Sequence, residues 1–341
     1  MKLDCIYFYL NDAQQWRDWF VTVLGFVPLG MEQTPDTVTA WVRSAEIVFA
    51  LSSPLSPRSR VAQYLQEHPE GVGEVVFAVS HLDALLDRVQ QLGGELLSPV
   101  WELPHQRGCQ IRSITGLTHR LLEYKVRWPL VDSFPPTPFT GVDHLVLNVA
   151  AGELEETVRW YEQVFGFERQ QTFAIATEES GLYSQVMVHP ETGLQFPVNE
   201  PTTENSQIQE FLEVNGGAGI QHIALNTVPL ISTIQGLRDR GVDFLDVPEL
   251  YYQRLREDSP TLNLTDAEWE AIATQNILVD HQTDTSLLLQ IFTQPIFEQP
   301  SFFFELIERR QQAEGFGEGN FRALFEAMEA QQRQRGTLVR A

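Results

Sequence analysis

The chain has 341 residues, of which 43% are hydrophobic and 11% aromatic, so it is long enough for two domains with substantial cores. Its formal net charge of −23, without a basic stripe, argues against nucleic acid or an anionic membrane surface as a partner. No apolar run approaches the roughly 18 residues that cross a bilayer, and we expect a cytoplasmic protein whose anionic ligands would need a local positive charge, such as a metal ion.

The first predicted element is a strand at the amino end, "LDCIYFYL" (3–10), a short apolar run that is too brief for a signal peptide. The segment "WFVTVLGF" (19–26) predicts an amphipathic helix that ends at a glycine, with a strand to follow. A second unit of the same kind follows in "GVGEVVFAVSHLDALLDRVQQLGGELL" (71–97). The only cysteines, Cys5 and Cys109, are too few for a disulfide framework and suit a reducing compartment.

A proline-rich segment separates the two halves of the sequence. The run "RWPLVDSFPPTPFTG" (127–141) contains several prolines, which are typical of a linker. We therefore predict a first domain over residues 1–128, a linker over 129–140 and a second domain over 141–341.

The second half repeats the units of the first. "VDHLVLNV" (142–149) predicts a strand, and "WYEQVFGF" (160–167) resembles the helix segment of the first half. "GIQHIALNTVPLISTIQGLRDRGVDFL" (219–245) resembles the second unit of the first half. An insertion near residues 247–284 is predicted to hold a short helix at "DAEWEAIA". The sequence therefore predicts four units with a strand, a helix and further strands, two in each half.

The tail predicts a helix after a glycine-rich hinge. In "GFGEGNFRALFEAMEAQQRQ" (315–334), every second residue from 315 to 319 is a glycine, and the predicted helix covers residues 320–334. One face of this helix collects apolar residues at helical spacing, namely Phe321, Leu324, Phe325 and Met328.

Two histidines occupy matching positions in the repeat of the second half. His144 lies in "GVDHLVLNV" and His222 in "GIQHIALN", whereas the first half has Cys5 and Glu74 at these positions. Strand alternation places each histidine on a face with polar and small or apolar residues, as in the wall of a cavity. A histidine that serves only the fold could appear in both copies, so the pair indicates a site in the second half.

Glu305 supplies a third candidate ligand. It lies in "SFFFELIERR" (301–310), where an ionised carboxylate among apolar residues is costly to bury without a cation. Two histidines and one carboxylate leave three positions open on an octahedral ion, the pattern of non-haem Fe(II) oxygenases. A single strand histidine is more often structural, so the metal hypothesis depends on the three residues together. The remaining histidines are interpreted as surface or structural residues: His68, His81, His105, His119, His189 and His281.

Several motifs together resemble the 4-hydroxyphenylpyruvate dioxygenase family of the vicinal oxygen chelate superfamily. They are "GVDH", "QHIA", "FFFELIER", "FPVNEP", "SQIQEFL", "LLLQIF" and "GFGEGNF", set among the βαβββ units. Each motif alone is a weak signal, but their order and spacing along the chain are together highly specific. The resemblance covers nearly the whole chain and is dense over residues 141–334. It implies an α+β fold of two tandem vicinal-oxygen-chelate domains, each with two βαβββ modules forming an open barrel, and a C-terminal lid helix.

The resemblance also implies roles for individual residues. His144, His222 and Glu305 would be the ligands of Fe(II), and the first half would be a scaffold without metal in which Glu123 matches Glu305. Strict alternation points Gln221 away from His222, which leaves its place in the pocket open. The residues implied to line the substrate pocket are Ser184, Asn199, Gln207, Gln221, Gln290, Phe303, Phe316, Asn320 and Phe321. The four implied to act in catalysis are Ser184, Asn199, Gln207 and Gln290.

The implied reaction converts 4-hydroxyphenylpyruvate and O2 to homogentisate and CO2 by oxidative decarboxylation, ring hydroxylation and side-chain migration. Homogentisate would serve tyrosine breakdown or tocopherol and plastoquinone synthesis, and the family usually forms homo-oligomers, here a dimer or tetramer. One alternative on the same fold is 4-hydroxymandelate synthase, which typically has a smaller aliphatic residue at the position of Phe321. The others are a glyoxalase-like metal isomerase and a non-catalytic binding protein, which would not need three intact ligands.

Overall fold

The computed structural model describes residues 1–125, 136–177, 180–281 and 283–336, which form two curled β-sheets flanked by helices. The fold is α+β, as the sequence predicts. The first sheet has the strand order β2-β3-β4-β1-β5-β9-β8-β6, with β7 paired to β8. Its strands are β1 (Lys2–Tyr9), β2 (Val27–Gln33), β3 (Thr37–Ser44), β4 (Ile47–Pro54), β5 (Gly71–Ala78), β6 (Glu95–Leu96), β7 (Trp101–Glu102), β8 (Gln106–Arg112) and β9 (Thr118–Tyr124). Its helices are α1 (Ala13–Thr22), α2 (Arg60–Glu67) and α3 (Leu82–Gln91).

The second sheet repeats this arrangement with the order β11-β12-β13-β10-β14-β17-β16-β15. Its strands are β10 (Phe139–Asn148), β11 (Glu168–Ala176), β12 (Gly181–Val188), β13 (Val198–Pro201), β14 (Gly219–Thr227), β15 (Leu278–His281), β16 (Leu287–Phe292) and β17 (Phe303–Arg309). The helices of this half are α4 (Leu154–Phe165), α5 (Gln207–Asn215), α6 (Leu230–Asp239), α7 (Glu249–Asp258), α8 (Asp266–Thr274) and α9 (Glu318–Arg335).

Equivalent strands pair in the same way in both sheets. The antiparallel pair β1–β5 corresponds to β10–β14, and the parallel pair β5–β9 corresponds to β14–β17. The parallel pairs β1–β4 and β10–β13 complete the correspondence. The repeat seen in the sequence is therefore a repeat of βαβββ modules. Strands β10, β14 and β17, which carry the three candidate ligands, lie side by side.

The predicted helices are present, with small differences at their ends. Helix α4 ends at Gly166, whose φ of 78° is a left-handed conformation that favours glycine. Helix α8 lies in the insertion at "DAEWEAIA", and α9 covers the predicted tail helix with a few more residues. The strand predicted after Gly241 is reduced to one bridge between Phe244 and Thr293, because the chain turns into α7 directly afterwards.

Most of the predicted linker lies outside the described residues, which resume at 136 after residue 125. Strand β10 begins at Phe139, two residues before the predicted start of the second domain. Phe139 is fully buried, and its ring lies 5.7 Å from that of Phe26 in the first half, so it belongs to the core. The predicted domain limits stay predictions.

One hydrophobic core runs between the two sheets. Phe8 of β1 packs edge-on against Phe302 at 5.3 Å, and Phe20 of α1 packs against Phe304 at 6.1 Å. Because side chains alternate along a strand, burying Phe302 and Phe304 in this core turns Phe303 and Glu305 to the opposite face of the second sheet. Among the described residues, none of the helices is both long and apolar enough to cross a membrane.

Candidate metal centre

The three candidate ligands converge from three adjacent strands. His144 lies on β10, His222 on β14 and Glu305 on β17. Ala224 of β14 is the register partner of both His144 and Glu305, so a small side chain separates these two ligands across the sheet. His222 and Ala224 are two residues apart and share one face of the sheet. Register partners also lie on the same face, so His144, His222 and Glu305 all point to the same side.

The distances fit a single small cation. His144 Nε2 lies 3.1 Å and His222 Nε2 3.7 Å from Glu305 Oε2. The ligand atoms of the three residues all lie within 4.8 Å of one another. Exposed fractions are 2% for His144, 8% for His222 and 2% for Glu305, so the group is buried. Two imidazole nitrogens and one carboxylate oxygen are a donor set that suits Fe, Mn, Co or Zn.

A carboxylate and an arginine hold the outer side of His144. Its Nδ1 donates a hydrogen bond to Asp143 Oδ1 at 2.9 Å, which leaves Nε2 free to face a metal ion. Arg309 donates two hydrogen bonds of 2.8 Å to the Asp143 carboxylate. Burial would raise the pKa of Asp143, but Arg309 and His144 hold it well below its usual range. Asp143 is therefore ionised and fixes the tautomer of His144.

His222 and Glu305 are held in different ways. The ring of His222 stacks on Phe303 at 4.7 Å, and its Nδ1 is buried without a hydrogen-bond partner among the described residues. Glu305 Oε1 accepts a hydrogen bond of 2.9 Å from Gln290 Nε2. Its other oxygen, Oε2, is the one that faces both histidines.

Burial and neighbouring charges shift the pKa values of the two imidazoles in opposite directions. Burial opposes a charge on His144, but Glu305 and Asp143 on either side of the ring raise its pKa to about 9. Burial and then the charge on His144 lower the pKa of His222 well below its usual value. In the metal-free protein the proton therefore resides on His144. A divalent cation would displace it, because metal ligands must be deprotonated.

One cavity adjoins the triad and contains every residue predicted for the substrate pocket. Its polar lining consists of Ser184, Asn199, Gln207, Gln221, Gln290 and Asn320. Its aromatic lining consists of Phe292, Phe303, Phe316, Phe321 and Phe325. Aliphatic residues complete the wall, among them Val146, Ile175, Leu182, Val186, Ile208, Leu324 and Met328. Lys and Arg are absent from the described lining.

Several lining residues were missed although the sequence carries a signal for them. Leu182 and Val186 lie two residues before and two residues after Ser184 on β12. Phe292 lies two residues after Gln290 on β16. Residues two apart in a strand share a face, so these residues could be assigned to the pocket. Met328 follows Leu324 by one helical turn on α9.

Gln221 reaches the cavity because of a β-bulge. Val146 pairs with His222, but the next residue, Leu147, pairs with Ile220, so Gln221 is an extra residue in the ladder. The bulge interrupts the strict alternation that would turn Gln221 away from His222. Both residues consequently line the same cavity.

The first sheet corrects the predicted match between Glu123 and Glu305. Register pairs Ala224 with Glu305 in the second sheet and the equivalent Val76 with Arg120 in the first. Arg120 therefore occupies the position equivalent to Glu305. An alignment of "RLLEYKV" with "FFFELIER" that matches Glu123 to Glu305 is therefore three residues out of the strand register. Sequence similarity alone carries no information about that register.

A guanidinium group is found in the first sheet where the second sheet has its triad. Arg120 Nε lies 2.7 Å from the Glu74 carboxylate, which is fully buried. Glu74 also accepts a hydrogen bond from Gln110. Glu123 instead pairs with Arg107 at the sheet surface. Arg120 therefore supplies the positive charge beside the buried Glu74 carboxylate that a metal ion would supply beside Glu305.

The histidines interpreted as structural have other contacts. His119 is buried and bonds the hydroxyl of Tyr161 at 2.8 Å, and His68 Nδ1 bonds the backbone oxygen of Asn215 at 2.6 Å. His281 bonds the hydroxyl of Ser259.

The sequence model of the Glyoxalase/Bleomycin resistance protein/Dioxygenase superfamily matches residues 2–111 and 141–266. An uncharacterized protein of Synechocystis sp. is 36% identical over 98% of this chain and 99% of its own length. The 4-hydroxyphenylpyruvate dioxygenase of Xenopus tropicalis is 34% identical over 97% of this chain and 91% of its own. Among solved structures, a triple mutant of 4-hydroxymandelate synthase from Streptomyces coelicolor superposes with a TM-score of 0.85 at 26% identity, covering 97% of this chain and 98% of that one.

Proposed function

This chain belongs to the 4-hydroxyphenylpyruvate dioxygenase family of the Glyoxalase/Bleomycin resistance protein/Dioxygenase superfamily, and on that basis we propose that it converts 4-hydroxyphenylpyruvate and O2 to homogentisate and CO2. The observation that carries the proposal is the convergence of His144, His222 and Glu305 at one end of a cavity lined by phenylalanines and carboxamides. The family makes the chain an enzyme and a dioxygenase. The substrate and the product are the proposed part.

Fe(II) is the metal ion that we propose for the triad. When bound, it would supply the activation of O2 that oxidative decarboxylation of a 2-oxo acid requires. The cavity that adjoins the triad is where the 2-oxo acid and O2 would bind. The chain supplies His144, His222 and Glu305 for this task, with Asp143 and Gln290 fixing their orientation.

The charge of the cavity supports a metal-bound anionic substrate. None of the described lining residues is Lys or Arg, so the protein offers no cationic side chain there for the substrate carboxylate. A divalent cation would supply the missing positive charge in a chain whose formal net charge is −23. The substrate is therefore expected to bind with its 2-oxo acid group at the triad.

The aromatic wall suits the ring of the substrate. Phe303 stacks on His222, Phe316 lies 5.1 Å from the ring of His144, and Phe321 packs edge-on against Phe173 at 4.8 Å. These rings would hold an aryl group beside the metal and exclude water from the reacting atoms.

The polar lining divides into two roles. Gln290 is bonded to Glu305 and to Asn320, so we assign it to positioning the metal ligand. Asn199 Nδ2 donates to Asn148 Oδ1 at 3.2 Å, which leaves its own oxygen for the substrate. Gln207 Oε1 is buried without a donor among the described residues and is our candidate acceptor for the phenolic hydroxyl. Ser184 and Gln221 line the same space.

The proposal also covers the setting of the enzyme. We propose a cytoplasmic homo-oligomer, a dimer or tetramer, whose homogentisate enters tyrosine breakdown or the synthesis of tocopherol and plastoquinone. Sedimentation analysis of the purified protein tests the oligomeric state.

Oxygen uptake and product analysis test the proposed reaction. The protein is purified anaerobically, loaded with Fe(II) and mixed with 4-hydroxyphenylpyruvate, and O2 uptake is followed before chromatography of the product. We expect homogentisate, and we expect Glu305→Ala to reduce turnover at least a thousandfold because one of three ligands is lost. Glu123→Ala is the matched control, a carboxylate on the corresponding strand of the first sheet, and should keep activity.

Each other outcome assigns a different function. If the product is hydroxymandelate, the chain is a 4-hydroxymandelate synthase, like the Streptomyces coelicolor protein with a similar structure. Absence of O2 uptake with a metal-dependent isomerisation would favour a glyoxalase-like activity. Full turnover by Glu305→Ala would overturn the ligand assignment itself.

A further inference from the structure

Two chains of hydrogen bonds lead from the metal ligands to the segment that precedes α9. One runs from His144 through Asp143 to Arg309, and the other runs from Glu305 to Gln290. Both end on residues 313–320, at the start of the tail helix. The strand β17 therefore carries both a metal ligand and the arginine that holds the tail.

Arg309 distributes its hydrogen bonds between the metal site and the tail. Its Nε and Nη2 bind the two oxygens of Asp143 at 2.8 Å, whereas its Nη1 donates to the backbone oxygens of Ala313 at 3.2 Å and Gly315 at 2.9 Å. The side chain is 19% exposed and that of Asp143 is 6% exposed. A buried ion pair is tolerated when its remaining donors and acceptors are satisfied, and here the tail satisfies them.

Gln290 makes a second connection to the same segment. Its Nε2 donates to Glu305 Oε1 at 2.9 Å and to the backbone oxygen of Phe316 at 3.2 Å, and its Oε1 accepts from Asn320 Nδ2 at 2.8 Å. The ring of Phe316 packs against the ring of His144 at 5.1 Å. The tail thus contacts both the carboxylate ligand and a histidine ligand.

The segment between β17 and α9 depends on these outside partners. It contains one 3-10 turn, Arg310–Gln312, and the positive φ of residues 311, 312, 315 and 317 prevents that turn from continuing as a regular helix or strand. Backbone oxygens that regular structure does not satisfy need side-chain donors when they are buried. Arg309 and Gln290 are the donors that the described structure provides to Ala313, Gly315 and Phe316.

We propose that Arg309 is a positioning residue that couples occupation of the metal site to the closed position of α9. This inference rests on the metal centre of the proposed function. A metal ion on His144 Nε2 would replace the proton there and leave the Nδ1–H bonded to Asp143, so that the fixed ring holds Asp143 and Arg309 in the orientation that binds the tail. In return, a closed tail fixes Arg309 and Asp143, and so preorganises His144 for the metal. By linkage the two effects are equal in free energy.

Hydrogen exchange in the full-length protein, with and without Fe(II) under anaerobic conditions, tests the coupling. We expect Fe(II) to slow amide exchange several-fold in residues 313–336 of the wild type. In Arg309→Met, Fe(II) binding measured by competition with a chelator should weaken about 10- to 100-fold. At saturating Fe(II), the exchange in this variant should no longer respond to the metal.

Two further variants make the test specific. Arg310→Met is the matched control, because the adjacent Arg310 pairs with Glu308 and Glu268 and makes no contact with Asp143. It should bind Fe(II) and respond in exchange as the wild type does. Arg309→Lys keeps the charge but lacks the planar fork that serves Asp143 and two backbone oxygens at once. It should fold, bind Fe(II) and lose the response of the tail, which keeps the test decisive if the methionine variant does not fold.

The outcomes separate this inference from the proposed function. A wild type that does not bind Fe(II) contradicts the metal centre and, with it, the coupling. A wild type that binds Fe(II) without any change of exchange in residues 313–336 contradicts the coupling alone. The same holds if both Arg309 variants keep the full response.

Discussion

The side-chain oxygen of Gln207 is a buried acceptor without a donor among the described residues. An unsatisfied buried acceptor costs about 1–3 kcal/mol. Because Gln207 lines the cavity, a bound ligand can supply the missing donor, and the phenolic hydroxyl of 4-hydroxyphenylpyruvate is a donor of the right kind.

We predict that Gln207→Leu weakens recognition of the hydroxyl group and not that of the ring. The variant should lose about 3- to 10-fold in kcat/KM for 4-hydroxyphenylpyruvate, the value of one hydrogen bond. Its kcat/KM for phenylpyruvate, which lacks the hydroxyl, should change by much less. Steady-state kinetics with both substrates measure the ratio, and equal losses would remove Gln207 from the role of acceptor.

Gln185→Leu is the control for this prediction. Gln185 is a buried glutamine whose Nε2 donates to the backbone oxygens of Gln171 and Val186 and whose Oε1 accepts from Thr172. Its replacement leaves these partners unsatisfied and should lower the free energy of unfolding by roughly 1–3 kcal/mol. Gln207→Leu should leave the free energy of unfolding unchanged or raise it.

Sequence reasoning at the scale of the residue succeeds where chemistry and position agree. The convergence of His144, His222 and Glu305 could be predicted because each is a costly residue in an apolar strand and each falls on a defined face. Arg309 could not be predicted as a partner of Asp143. The two lie 166 residues apart, and no local pattern specifies an ion pair at that separation.

At the scale of the element, the two ends of α9 carry glycines in the same conformation. Gly317 has φ of 75° and Gly336 has φ of 76°. A Cβ atom on Gly317 would lie 1.9 Å from Gln290 Oε1, whereas one on Gly336 would meet nothing within 4 Å. The start of the helix therefore packs directly on the residue that holds Glu305.

We predict that Gly317→Ala displaces the start of α9 and loosens the metal site. The substitution adds a steric conflict with Gln290 to the conformational cost of about 1 kcal/mol or more at a positive φ. Limited proteolysis should cleave the tail of the variant faster, and Fe(II) affinity should fall.

Gly336→Ala separates the two contributions. It carries the same cost at positive φ without the steric conflict, at the far end of the same helix. Fe(II) affinity should stay at the wild-type value. If both variants lose affinity to the same extent, contact between Gly317 and Gln290 is not what links α9 to the metal site.

The repeat in the sequence was sufficient to predict the elements but not their register. The βαβββ modules follow from matching segments such as 19–26 and 160–167. The bulge at Gln221 could not be predicted, because period-two alternation assumes an uninterrupted ladder. The match of Glu123 to Glu305 was wrong for the same reason, since register and not sequence similarity places Arg120 at that position.

At the scale of the whole molecule, the two halves share one core. His119 of the first sheet lies in this interface, where its ring stacks on Phe77 at 5.3 Å and bonds the hydroxyl of Tyr161 on α4. Burial lowers the pKa of His119 to about 3. The folded state therefore holds this imidazole neutral, whereas the unfolded chain takes up a proton near pH 6.5.

We predict that His119 makes the protein less stable as the pH falls below about 6.5. The folded pKa lies below the unfolded one, so its contribution is fully present above pH 6.5 and is lost on acidification down to about pH 3. The slope is about 1.4 kcal/mol per pH unit within this window. In His119→Gln, which keeps a hydrogen-bonding side chain but does not titrate, the free energy of unfolding should lack this slope.

Denaturant unfolding at several pH values measures the effect, with His81→Gln as the control. His81 is exposed at the start of α3, so His81→Gln removes an imidazole from the surface and not from the core. A wild type and a His119→Gln variant with parallel curves between pH 6.5 and 4 would show that His119 does not titrate as its burial requires.

Anaerobic titration of the metal-free protein with Fe(II), with metal analysis after gel filtration, tests the central claim most directly. Wild type and Glu305→Ala are compared at equal protein concentration. We predict one tightly bound Fe(II) per wild-type chain and at least about a hundredfold weaker binding by the variant, because we propose the triad as the metal site. Equal stoichiometry and affinity in both proteins would contradict the claim that His144, His222 and Glu305 together hold the metal ion.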